Sequence, residues 1–307
     1  MGETITYADV SVVYHRHTPL RYRWDTHKAS LSAYDAVSAC PFDFLKPFLA
    51  KWQAKTDIYA AIDDTLWLEF DVGAKCGNNV VPNLFFSIGT ANILRDPNAI
   101  CRVLADFNVE FSAPHQAKLS ALLNQTIQPH AVQFGVMFGR AGSPIRACFF
   151  YETGKHPIST SAWFKDSVAV LGYPADPFQR WCDDLGALPW LSHLSAIDVD
   201  LTSSSNDRLG FEFGFLTNKA DHRGQKADAK LWMFLAWLQS MGLLAAPKQR
   251  MLEHWIGATR LVAATSGITP SKPHNLVRTI NHFKLDVYTP YSVTAKAYLN
   301  FDVIKKL

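Results

Sequence analysis

The densest chemistry in the chain lies in HFKLDVYTPYSVTAKAYLNF (282–301). If this segment turns about Pro290, an antiparallel pairing sets Lys284 opposite Lys296 and His282 opposite Tyr298. Like charges directly opposed across two strands are destabilising. An anion between them relieves the conflict, and several cationic and phenolic donors converging at one place suit a diphosphate. The alternative is a solvated lysine pair offset by one residue. Arg21 and Arg23 share a face of LRYRW, and Arg146 stands in IRACFFYE. They would extend the basic patch, although each alone also fits an ordinary surface position.

Five segments must position these groups, and each reads as strand, turn, strand: 10–24, 65–89, 131–152, 195–215 and 282–301. Each combines aromatic and β-branched residues, period-2 alternation and central turn residues. Their centres recur at intervals of about 60 to 65 residues, then about 85, which marks a repeated supersecondary unit. Helical patterns fill the gaps at 31–55, 98–108, 115–125, 161–171, 177–185, 228–244 and 247–262. In the pattern 228–244, Trp232, Leu235, Trp237 and Leu238 form the apolar face. Paired strands of this kind forbid a doubly wound parallel sheet, which needs single crossover helices. The expected fold class is α+β, with repeated β-hairpin and helix units. Ten antiparallel strands can close into a barrel ringed by helices, which removes the sheet edges. An open sheet covered on one face is the alternative. No linker divides the chain, so residues 1–307 read as a single domain.

Alternation assigns faces. Leu66, Leu68, Phe70 and Val72 oppose Trp67, Glu69 and Asp71. Val132, Phe134 and Val136 oppose Gln133, Gly135 and Met137. Ile197 and Val199 oppose Asp198 and Asp200. Phe211 and Phe213 oppose Gly210, Glu212 and Gly214, while Phe283, Leu285 and Val287 oppose His282, Lys284 and Asp286. Each strand thus has one apolar face, to pack under helices, and one face mixing charge, glycine and aromatic groups. An open sheet turns the second face to water; a closed one makes it the lining of a polar lumen. Gly135, Gly139, Gly210 and Gly214 weaken strands unless space is needed there, and Trp67 and Met137 are odd on a solvated surface.

Other classes are set aside. Thirty Lys and Arg against 27 Asp and Glu give +3, too little for a nucleic-acid surface. Hydrophobic residues at 48% and charged ones at 19% are an ordinary globular composition. No run reaches the length of a membrane span, and the first residues do not read as a signal peptide. Five dispersed cysteines without a CxxC pair suit a reducing compartment, so a cytoplasmic monomer without membrane insertion is expected. There is no GxGxxG, P-loop, HExxH or GxSxG, and hence no expected organic cofactor or structural metal. Cys148 has no visible histidine partner, and a lone buried thiol is usually inert.

Five hairpins with flanking helices over about 300 residues resemble the ABBA prenyltransferases, a family of ten-stranded antiparallel barrels ringed by helices. The resemblance covers nearly the whole chain and is architectural, with TAKAYLNF similar to the closing strand of several members. It implies transfer of an isoprenyl group from an allylic diphosphate to a peptide or aromatic small-molecule acceptor, as in the tailoring of ribosomal peptides. By that resemblance Lys284, Lys296 and Tyr298 bind the diphosphate, joined by His282, Arg146, Arg21 and Arg23. Trp67, Phe85, Met137 and Phe150 would line the prenyl and acceptor pocket, and Glu69, with Glu212 as rival, would be the base. Magnesium has room to assist at the diphosphate. The departure is an acidic as well as basic lining, through Glu69, Asp71, Asp198, Asp200 and Glu212, which suits a cationic or peptide acceptor. The competing reading is a non-catalytic barrel that binds a peptide or apolar ligand as an accessory protein.

Overall fold

The computed structural model describes residues 8–15, 43–72, 81–96, 98–124, 128–138, 145–151, 193–201, 208–215, 229–261, 274–288 and 292–305. Arg21, Arg23 and the helical patterns expected at 161–171 and 177–185 lie outside the described residues. The class is α+β, with antiparallel strands and helices. The chain divides into two compact units: Met1–Glu152, Ala162–Ala175 and Asp198–Asp207 form one, and Thr153–Ser161, Asp176–Ile197 and Arg208–Leu307 the other.

The first unit carries β1 (Ala8–His15), β2 (Ile62–Val72), β3 (Asn83–Gly89), β4 (Ala131–Val136), β5 (Ile145–Phe150) and the C-terminal half of β6 (Leu194–Leu201). They follow one another in that order, and the pairs from β1 to β5 are antiparallel. The apolar alternation is realised: Leu66 and Leu68 are buried while Trp67 between them is 36% exposed. Helix α1 (Lys46–Ala54) begins with Pro47 in its first turn, where the missing N–H costs nothing. It ends on Lys55 in the left-handed region, φ 52°. Its buried residues Phe48, Leu49 and Trp52 lie one turn apart, and Phe48 packs its ring 5.8 Å from Phe86. Helices α2 (Thr90–Arg95), α3 (Ala99–Ala105) and α4 (Ala113–Leu123) complete the cover. The start of α4 is fixed by a reciprocal cap, in which Ser112 N–H donates to His115 Nδ1 at 3.0 Å.

The second unit carries the N-terminal half of β6, then β7 (Leu209–Phe213), β8 (Gly257–Leu261), β9 (His274–Tyr288) and β10 (Ser292–Lys305). The order is β6-β7-β9-β10, with β8 also paired to β9. The final hairpin is longer than its sequence pattern indicated, because β9 begins at His274 and β10 reaches Lys305.

Two helical expectations are corrected here. The pattern 247–262 divides into helix α6 (Ala246–Trp255) and strand β8. Gly257 and Thr259 propagate a helix poorly, and Gly257–Leu261 instead pairs with the N-terminal half of β9. Helix α5 (Ala229–Ser240) buries Leu231, Phe234, Leu235 and Leu238, and leaves Trp232 exposed. The spacing i, i+3, i+4, i+7 selects Phe234 for the core in place of Trp232. Around Phe234 stand Phe213, Phe215 and Phe283, with ring centroids 5.4, 5.0 and 5.2 Å away. This aromatic cluster fixes the apolar sides of β7 and β9.

Candidate functional site

The face opposite those apolar layers carries buried charged and polar groups. In the first unit Glu69, Asn83, Arg146 and Asp198 are buried, and in the second Arg208, Lys284 and Asp286 are buried. Charged groups are almost never fully buried unless paired, and each unit shows how its charges are matched.

In the second unit the register foreseen for the last hairpin is present: Lys284 is opposite Lys296, and His282 is opposite Tyr298. A bulge follows between Tyr298 and Leu299. The imidazole of His282 stacks on the Tyr298 ring at 4.1 Å and 20°. Strand β9 is flanked on its other side by β7, where Glu212 is the direct partner of Lys284. Lys284 Nζ donates to Glu212 Oε1 at 3.1 Å, and His282 Nε2 lies 4.0 Å from Glu212 Oε2. Lys296 Nζ lies 3.4 Å from Asp286 Oδ2, while Arg208 Nη1 donates to Asp286 Oδ1. The repulsion between the two lysines is therefore offset by the protein's own carboxylates, one for each lysine. Among the described residues, Lys284, Lys296 and Arg208 against Glu212 and Asp286 leave one positive charge in excess on this face.

In the first unit a row of directly opposed residues crosses four strands: Trp67, Phe85, Gly135 and Arg146. The ring of Phe85 lies across Gly135. A Cβ at position 135 would come within 2.4 Å of Phe85 Cε1, so only glycine admits that ring. Glu69 sits beside this row, opposite Asn83 on β3 and Ser11 on β1. Arg146 grips Asp200 with two bonds, Nε to Oδ1 at 2.6 Å and Nη2 to Oδ2 at 3.1 Å, and stands 3.7 Å from Asp198. Burial disfavours the guanidinium charge, yet Asp200 and Asp198 together hold its pKa well above the ordinary range. Met137 and Cys148 are buried, and Phe150 is half-buried with its ring 6.4 Å from His130. Among the described residues, Glu69, Asp198 and Asp200 outnumber Arg146 on this face. The side chain of Asp71 lies outside the described ones.

The structure thus brings together Lys284, Lys296, His282, Tyr298 and Glu212 in one unit, and Trp67, Phe85 and Arg146, with Glu69 adjacent, in the other. Sequence reasoning did not name Arg208, Asp286, Asp198 and Asp200 as partners in these clusters. The alternation did place the three aspartates on the polar faces. The Arg208–Asp286 pair depended on β9 lying beside β7, a neighbour relation that skips β8, and the pairs of Asp198 and Asp200 with Arg146 on β6 lying beside β5. Among the described residues no group of three or more His, Cys, Asp or Glu is placed to hold a metal ion. No helix among them is long and apolar enough to cross a membrane.

No protein-family model matches the chain, and no curated sequence matches it. Among solved structures, the chain aligns with the crystal structure of prenyltransferase PriB in its apo form. The TM-score is 0.40 with 10% sequence identity, over 92% of this chain and 96% of that one. A likeness at that level leaves the chemistry to be argued from the residues themselves.

Proposed function

We propose that the chain is a prenyltransferase that moves an isoprenyl group from an allylic diphosphate to a peptide or nitrogen-containing aromatic acceptor. Closure of the strands into a barrel belongs to this reading. The observation that carries it is the partly buried, net-cationic face of β7, β9 and β10. Lys284 and Arg208 are buried there, Lys296 is 41% exposed, and Tyr298 adds a phenol. Such a face supplies charge-assisted donors to a leaving diphosphate in a low-dielectric setting, where they count for more than in water. The C–O bond between the allylic carbon and the diphosphate breaks, and the diphosphate keeps the electron pair. The acceptor's electron pair forms the new bond to that carbon, and Glu69 takes the displaced proton. Trp67, Phe85 and Phe150 offer π-faces that stabilise an allylic cation, and Met137 adds a soft apolar wall. Arg146 is locked by two bonds to Asp200 with Asp198 beside it, whereas among the described residues Lys284 and Lys296 each have a single carboxylate contact, so the diphosphate role falls to Lys284, Lys296 and Tyr298. The donor set does not fit magnesium, which needs oxygen ligands. Glu212 and Asp286 are already engaged by Lys284, Arg208 and Lys296.

One observation favours the alternative of a non-catalytic binding protein: both lysines already have a carboxylate partner. Release of diphosphate separates the two readings. With dimethylallyl or geranyl diphosphate and a panel of basic and aromatic peptides, the wild-type protein should release diphosphate in step with acceptor alkylation. Glu69→Gln should slow that release by about 10²- to 10⁴-fold, the range for a lost general base, while donor affinity holds. Donor binding without release for any acceptor would favour the binding protein.

A further inference from the structure

The cluster on β7, β9 and β10 carries one excess positive charge, Lys284, Lys296 and Arg208 against Glu212 and Asp286, whereas a diphosphate brings two to three negative charges. This mismatch has a structural consequence at Glu212. Among the described residues its charged partners are Lys284 at 3.1 Å and His282 at 4.0 Å, and its side chain is 13% exposed. We infer that binding of an isoprenoid diphosphate draws Lys284 away from Glu212 and places a proton from solvent on His282, which takes over as the partner of Glu212. The inference rests on the diphosphate reading above.

The argument is one of charge balance. When Lys284 Nζ turns to a phosphate oxygen, Glu212 loses its lysine. A largely buried carboxylate without a cation is costly. Imidazole is the side chain whose charge changes near neutral pH, and Nε2 of His282 already points within reach of Oε2. Among the described residues, Glu212 from β7 and Tyr298 from β10 face this histidine, with Lys284 two residues along β9. Asp286, Lys296 and Arg208 stand beyond as a second ion-paired set. The two lysines oppose a charged imidazole in the resting state. Once a diphosphate covers them that opposition falls, and the Tyr298 ring at 4.1 Å offers a π-face to the imidazolium. Linkage gives the sign: a complex that binds more protons than its parts weakens as pH rises above the imidazole range.

The test is calorimetric titration of the full chain at pH 7.5 with geranyl thiolodiphosphate in PIPES and in Tris, whose ionisation heats differ. The wild type should take up a measurable fraction of one proton on binding, read from the difference in heat between the two buffers. Geraniol, which leaves Lys284 on Glu212, should take up none. His282→Gln should still bind, about tenfold more weakly, with no proton uptake. Glu212→Gln should bind severalfold more tightly and also without uptake. Equal heats in the two buffers with clear binding would overturn the inference and leave the diphosphate site standing. Uptake that persists in His282→Gln would overturn the assignment to this histidine. No heat in either buffer from folded protein would remove the diphosphate site, and this inference with it.

Discussion

Arg146→Ala is expected to lower the unfolding free energy by about 3–5 kcal/mol, the cost of removing one partner from a buried ion pair. The guanidinium is 4% exposed and holds Asp200 through two bonds, with Asp198 fully buried 3.7 Å away. Truncation leaves two carboxylates in a covered site with their shared cation gone. Arg146→Lys keeps the charge and loses the planar fork, so it should fall between wild type and alanine. A denaturant titration reads the difference as a shift in midpoint at unchanged slope. Replacing Arg146 and Asp200 together by apolar residues should recover part of the loss, because no orphaned charge then remains at position 200. A change below about 1 kcal/mol for Arg146→Ala would mean that water reaches this face, and the covered polar layer would not exist.

Phe234→Ala should cost about as much, 3–5 kcal/mol, for a different reason. Its ring is fully buried among Phe213, Phe215 and Phe283. Alanine there opens a cavity that three rigid rings on β7 and β9 and beside them cannot close. Phe234→Leu refills much of the volume and should cost well under half as much. The site is coupled to this packing. Glu212 and Lys284 stand on β7 and β9, directly opposite each other, on the reverse side of the strands that Phe213 and Phe283 anchor. Phe234→Ala should therefore also weaken donor binding without touching a polar group. Full stability in thermal and denaturant unfolding would contradict the packing assigned to this helix.

Much of this was legible in the chain because period-2 alternation is local. Leu66, Trp67, Leu68 and Glu69 declared two faces, and the structure keeps them. The juxtaposition of Lys284 with Lys296 and of His282 with Tyr298 followed from one turn at Pro290. Pairing within a hairpin needs no knowledge of the rest of the fold. The partners across non-local edges were not legible. Glu212 faces Lys284 only because β7 lies beside β9, and β8 attaches to the far half of β9. Without that order, two opposed lysines called for a foreign anion, whereas the chain supplies its own carboxylates. The strand at Gly257–Leu261 was hidden for a related reason. Its residues read as the tail of a helix until the long β9 offers them a partner. The choice of Phe234 over Trp232 was a matter of phase along α5, decided by the positions of Leu231, Leu235 and Leu238.

That Lys284 and Lys296 hold an isoprenoid diphosphate can be measured by calorimetric titration with dimethylallyl and geranyl thiolodiphosphates. The samples are wild type, Lys296→Ala and Lys284→Ala/Lys296→Ala, each first shown to be folded by circular dichroism. Micromolar binding by the wild type is predicted. Each lost charge-assisted bond contributes about 1.5–3 kcal/mol, so Lys296→Ala should weaken binding by about 10- to 150-fold. The double substitution should abolish it. Absence of heat from folded wild-type protein, or a double variant that binds as the wild type does, would contradict the diphosphate site and favour the binding-protein reading.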